Sequence, residues 1–245
     1  MFLFTFPALA QDGVQVWIKD LLQKKDDAEL ALVEKIAGVR SREAAVGLVE
    51  AYDGLQTLLY RREVIRGLHN YANLAEAEQP ALEKLANIAG NPDTDAELRD
   101  FAIQGLGKSN GLGRTFLQRL VDGELPDAVR EAALREHVKG ATAQDGTWYR
   151  FLWNYKQEQR KDKKGEIAPP EFNTVRQLAA QGLLQFLTEA EIVETLKREV
   201  DPKIRRALLT TMRQKQMPRT AEIAAEQLDS VVLPGAERAE AARIL

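Results

Sequence analysis

Pro126-Asp127-Ala128-Val129-Arg130-Glu131-Ala132-Ala133-Leu134 holds the pattern that recurs along the 245-residue chain: a proline and an aspartate open it, and a run with one apolar face follows. Aligned on Arg130, equivalent positions fall at Ala31, Arg61, Arg99, Arg176, Arg205 and Arg238, so successive sites lie 30, 38, 31, 46, 29 and 33 residues apart. A recurrence near 30 residues marks stacked helical units, none of which buries its apolar face alone. One residue before the aligned site stand Leu30, Tyr60, Leu98, Val129, Val175 and Ile204. Three after it come Val64, Ala102, Ala133, Ala179, Leu208 and Ala241, and seven after it Leu68, Leu106, Leu183, Met212 and Leu245. Offsets of four and then eight from the first of these trace a single helical stripe. Six residues after the site, Gly67, Gly105 and Gly182 recur where glycine costs roughly 1 kcal/mol against alanine, which predicts a close approach of neighbouring helices.

Helix starts are predicted at Asp27, Thr57, Asp95 and Asp201, four residues before the site, and at Asp127 and Asn173, three before it, because each side chain can accept a first-turn amide. Pro202 suits the position after Asp201. Upstream of each such helix runs a second amphipathic one, carrying in turn Val14, Trp17, Ile18 and Leu21; Ala45, Leu48, Val49 and Tyr52; Leu82, Leu85 and Ala86; Phe116, Leu117 and Leu120; and Ile192, Val193 and Leu196. Each unit is therefore expected to be a helical hairpin. The spacing leaves no run for a sheet.

The stretches Asp127 to Leu134, Asp201-Pro202-Lys203-Ile204-Arg205-Arg206-Ala207-Leu208-Leu209 and Asp95-Ala96-Glu97-Leu98-Arg99-Asp100 resemble the HEAT-repeat family, and in particular its short bacterial, phycobilisome-lyase-type form. The resemblance covers most of residues 14 to 245 and implies an all-α fold, a right-handed α-solenoid of about seven hairpins. It also implies that Arg61, Arg99, Arg130, Arg176 and Arg205 form a structural ladder to acidic groups of adjoining repeats. The first unit departs from the pattern, with Ala31 for the arginine and Glu34 in the apolar stripe, as befits a terminal repeat with a wet outer face.

Composition agrees with a folded helical protein: 44% hydrophobic, 29% charged and a net charge of −3, which gives no global case for nucleic acid. From Arg150 to Arg219 there are 15 basic and 9 acidic residues, a mild local surplus. Phe2 to Ala10 is apolar, ends in Ala8-Leu9-Ala10 and precedes Gln11-Asp12-Gly13, which resembles a signal peptide cleaved before Gln11 although no basic residue precedes it. Residues 1–10 are thus read as an apolar tail and 11–245 as one repeat domain, in the periplasm or secreted. The tail is too short to span a bilayer. Without cysteine, no disulfide, thiol nucleophile or thiolate metal site is available.

Gly105-Leu106-Gly107-Lys108-Ser109-Asn110-Gly111-Leu112-Gly113 follows a helix and has Ala102 where a phosphate loop needs glycine, so it reads as a helix stop with Gly107 and Asn110 left-handed. Trp148-Tyr149-Arg150-Phe151-Leu152-Trp153-Asn154-Tyr155 packs five of the sixteen aromatic residues into eight positions. On one helix these rings cannot all face a core, so one or two are expected to be exposed; Trp148, Tyr149, Trp153 and Tyr155 are candidates for binding a protein or peptide. Residues 156–170 are predicted to be a charged loop insertion, with Pro169-Pro170 ending any helix. Ile244-Leu245 is a free apolar end, which suggests a further domain or subunit after Leu245.

No catalytic, cofactor-binding or metal-ligating constellation emerges. His69 precedes Asn70 and His137 precedes Val138, so the His-Glu pairs of iron-holding HEAT-repeat hydroxylases are missing; Ser41, Ser109 and Ser230 lack a nucleophile elbow. The expected function is a noncatalytic scaffold for protein partners in the bacterial envelope, with no cofactor. The alternatives are a nucleic-acid binder resembling the HEAT-like alkylpurine DNA glycosylases, which would use the basic surplus between Arg150 and Arg219 and the aromatic cluster and against which export argues, and a bilin lyase-type enzyme suggested by the repeat resemblance alone.

Overall fold

The computed structural model describes residues 8–155, 174–199, 201–229 and 235–244. Among them are fourteen α-helices and no strand. The chain divides into two compact units, Met1–Gly140 and Ala141–Leu245.

The first unit contains α1 (Ala8–Lys24), α2 (Leu30–Ala37), α3 (Arg42–Gly54), α4 (Leu58–Leu68), α5 (Glu78–Gly90), α6 (Ala96–Gly107), α7 (Leu112–Asp122) and α8 (Asp127–Lys139). Neighbours in sequence pair as hairpins, and the hairpins stack with α1 on α3, α3 on α5 and α5 on α7 in one layer. The second layer runs α2, α4, α6 and α8. Every aligned position from Ala31 to Arg130 lies on this second layer, whose apolar stripe is the core: Val64 and Leu68, Leu98, Ala102 and Leu106, and Val129 and Ala133 are all buried.

Contacts between hairpins join residues one repeat apart, as a translated pattern demands. Tyr71 Oη donates to the carbonyls of Ile36 and Val39, 35 and 32 positions back. Lys84 Nζ reaches Asp53 Oδ1 over 31 positions, and Ser109 Oγ donates to Glu78 Oε1, also over 31. Asp26 accepts the Gln56 and Thr57 amides at 2.8 and 3.2 Å, so a residue of the first hairpin caps α4 of the second. The recurring glycines sit where helices meet. A Cβ on Gly67 would stand 3.0 Å from both Ala37 Cβ and Leu48 Cδ1, and one on Gly105 would overlap the His69 ring.

The second unit contains α9 (Gly146–Tyr155), α10 (Thr174–Leu184), α11 (Glu189–Arg198), α12 (Pro202–Gln214), α13 (Thr220–Asp229) and α14 (Gly235–Ile244). Helices α9 and α10, α11 and α12, and α13 and α14 form the hairpins, and α10, α12 and α14 pack in a row. Arg176, Arg205 and Arg238 fall on that row.

Helix ends differ from expectation in several places. Asp95 and Asp201 do accept first-turn amides, from Glu97 and from Lys203 and Ile204. Asp27 instead closes a 3-10 turn, Glu29 stands at the α2 N-cap, and Pro126 takes the α8 cap ahead of Asp127. Thr57 is in place at the cap of α4 but turns its hydroxyl to Asp26, and Asn173 lies outside the described residues. Gly107 and Asn110 are not left-handed. The stop after α6 is made by Ser109, whose Oγ accepts from the Gly113 amide at 3.1 Å, while Gly113 lies so close to the Leu106 carbonyl that no Cβ fits. Among the described non-glycine residues the left-handed positions are Lys25 and Gln216, with φ of 52° and 51°. Gln216 ends α12, and the Met217 amide returns to the Met212 carbonyl at 3.1 Å.

No helix among the described residues is long and apolar enough to cross a membrane. Ala8-Leu9-Ala10 begins α1, so the expected cleavage point before Gln11 lies within a helix; residues 1–7 and the insertion at 156–170 lie outside the described residues.

Candidate functional site

The ladder arginines act first on their own hairpins. Arg61 Nε donates to the Leu55 carbonyl at 2.8 Å, Arg99 Nη1 to Pro92 at 3.2 Å, and Arg130 Nε to Val121 at 2.8 Å. Each acceptor lies at or just beyond the end of the preceding helix, where carbonyls have no intrahelical partner and a cation meets the negative end of the helix dipole. Arg205 follows the rule through the Leu196 carbonyl at 2.6 Å and the Glu199 carbonyl at 2.8 Å, and adds a bond to Gln227 of α13.

Arg176 is the elaborated member. Its Nε donates to the Trp153 carbonyl at 3.1 Å at the end of α9, and its Nη2 meets Glu199 Oε2 at 2.6 Å. Glu199 also accepts the Trp153 indole N–H at 2.9 Å and, through Oε1, the Asp201 amide at 2.8 Å. Asp201 in turn receives Gln177 Nε2 at 3.0 Å while capping α12. Arg176, Glu199 and Asp201 are all buried, so the network ties α9, α10 and the α11–α12 corner together away from water. Glu199 gave no sign in the sequence beyond its place ahead of the Asp201-Pro202 cap.

The aromatic helix needs correction. Tyr149 is fully buried, with its ring against Gly182, and Trp153 is only 6% exposed, committed to Glu199. Four residues apart on α9, these two rings face the core, so neither is an exposed anchor. Trp148 is half-buried with its ring 5.3 Å from that of Tyr149, and the Tyr155 side chain lies outside the described residues. Among the described rings of α9 the exposed one is Phe151, at 54%.

Beside the network, described residues of α9, α10 and α11 line an open cavity of about 590 Å³. Where the first unit packs α1, α3, α5 and α7 in sequence, α9 and α11 make no comparable contact among the described residues, and the cavity occupies that gap. Trp153, Leu183 and Leu187 supply apolar surface, Asn154 and Thr195 add neutral polar groups, and three arginines stand against three glutamates. At the mouth, Arg150 Nη2 pairs with Glu191 Oε1 at 2.6 Å. Glu191 Oε2 accepts the Thr188 amide and hydroxyl at 2.9 and 2.8 Å in a capping box. The Thr188 amide first, then Arg150 and the Thr188 hydroxyl, hold this carboxyl down to about 2. Among the described residues no three His, Cys, Asp or Glu side chains gather where they could hold a metal ion.

No family model matches the chain, and no curated protein matches it. Among solved structures it is similar to human deoxyhypusine hydroxylase in complex with glycerol, at 15% identity and a TM-score of 0.45, over 96% of this chain and 85% of that one. The expectation of a noncatalytic scaffold is corrected by this finding. The matched structure is that of an enzyme. Neither residue constellation nor fold assigns a reaction here.

Proposed function

We propose that the chain is a HEAT-like repeat protein that binds a polypeptide segment in the cavity of its second unit. The observation that carries this is the lining: neutral polar groups of Asn154 and Thr195 and charges of both signs around the nearly buried edges of Trp153, Leu183 and Leu187. An extended peptide offers apolar side chains, amides and charges of both signs, and this surface can satisfy each of them. A nucleic-acid backbone requires a cationic surplus, and among the described lining residues three arginines stand against three glutamates.

Selection from a random peptide display library against the intact chain tests the reading. Peptides should be enriched, and Ala190→Trp, which fills the cavity from an exposed lining position, should weaken them by at least about tenfold, roughly 1.4 kcal/mol, without lowering the melting temperature. The reading fails if no peptide is enriched, if the variant binds equally well, or if a single-stranded oligonucleotide binds the cavity in preference to peptides.

A further inference from the structure

We infer that the cavity selects a cationic side chain of its peptide, a lysine or arginine that replaces Arg150 on the Glu191 carboxylate; this rests on the peptide reading above. The argument concerns which partner of the mouth ion pair is fixed. Glu191 is pinned from two sides, with Oε2 held by the amide and hydroxyl of Thr188 and Oε1 turned to Arg150. Its position follows from the first turn of α11 and does not depend on the arginine. Arg150 ends a long side chain that is 52% exposed, so water can resolvate its guanidinium once it is displaced.

The other charges point the same way. Arg198 meets Glu194 at 2.5 Å but is 79% exposed and long, so holding it for a ligand anion costs rotamer freedom. Arg176, the rigid cation of the lining, is engaged by Glu199 and the Trp153 carbonyl. The preorganised charge at the mouth is therefore negative, and Arg150 occupies it as an internal stand-in for the ligand cation.

The test compares one enriched peptide carrying lysine or arginine with the same peptide carrying norleucine or citrulline at that position. Arg150→Ala should tighten the basic peptide about threefold, the scale of one exposed ion pair, by removing the internal competitor. Glu191→Gln keeps the capping box, which accepts glutamine, and should weaken the basic peptide about tenfold. The readout is the ratio of basic-peptide to neutral-peptide affinity, which should rise about threefold in Arg150→Ala and fall about tenfold in Glu191→Gln. A merely structural role for the pair would weaken both peptides in both variants. Binding without preference for the cation, or weakening by Arg150→Ala, overturns the inference and leaves the peptide reading standing, whereas no peptide binding at all removes both.

Discussion

His69 shows how one side chain couples packing to pH. It lies at the end of α4, buried against Gly105, with Nε2 donating to the Phe101 carbonyl at 3.0 Å. Burial, with the nearby Lys108 charge, pushes its pKa from 6.5 down to about 4. Above pH 6.5 the imidazole is neutral folded and unfolded alike. Between 6.5 and about 4 only the unfolded chain takes up the proton, so stability falls as pH falls through that window, by about 3 kcal/mol in all. His69→Gln retains a donor for Phe101 and should abolish this contribution. Urea unfolding at pH 7 and pH 4.5 should show the wild type losing about 2 to 3 kcal/mol more than the variant, and equal losses would contradict the account.

Two glycines separate helix propensity from packing at the same scale. Gly13 and Gly182 both lie inside helices, where alanine is worth up to about 1 kcal/mol. A Cβ at Gly13 meets the Trp17 ring at an ordinary 3.7 Å, whereas at Gly182 it would stand 2.6 Å from Tyr149 Cζ in a buried ring. Gly13→Ala should therefore raise the melting temperature, and Gly182→Ala should lose about 1 to 2 kcal/mol as overpacking outweighs propensity. Thermal denaturation of both variants decides it; a stabilising Gly182→Ala would mean that the ring yields.

At the scale of the element, the hairpin is closed by its arginine, and what that bond is worth depends on the charge it meets. Arg130→Met removes the bond to the Val121 carbonyl and should cost about 1 kcal/mol. Arg176→Met strands the Glu199 carboxylate inside the network and should cost about 3 to 5 kcal/mol. Adding Glu199→Gln to Arg176→Met should recover part of the loss. Urea denaturation followed by far-ultraviolet circular dichroism reads both units, and equal costs for the two single variants would show that the buried pair contributes nothing special. Helix ends belong to this scale too. Asp95 and Asp201 were legible as caps because capping is a contact over two or three residues. Gln216 was not, because it is left-handed without being glycine and is held there by the turn after α12.

For the whole molecule, the repeat near 30 residues foretold the hairpins, their number and the stripe that becomes the core, and the bonds of Tyr71, Lys84 and Ser109 across 31 to 35 positions are that period written in space. Such features follow from a helix turning 100° per residue and from each unit needing a neighbour to cover its apolar face, so the order of residue types contains them. The division into two units and the cavity between α9 and α11 were hidden. Arg150 and Glu191 are 41 positions apart, Trp153 and Glu199 are 46 apart, and no local pattern says that these pairs meet. Which rings of the aromatic run face inward was not legible for the same reason, because it depended on where Gly182 and Glu199 came to lie. A cavity is a place where close packing fails, and that is settled by the balance of many distant contacts, whereas the helices beside it are settled by neighbours a turn away.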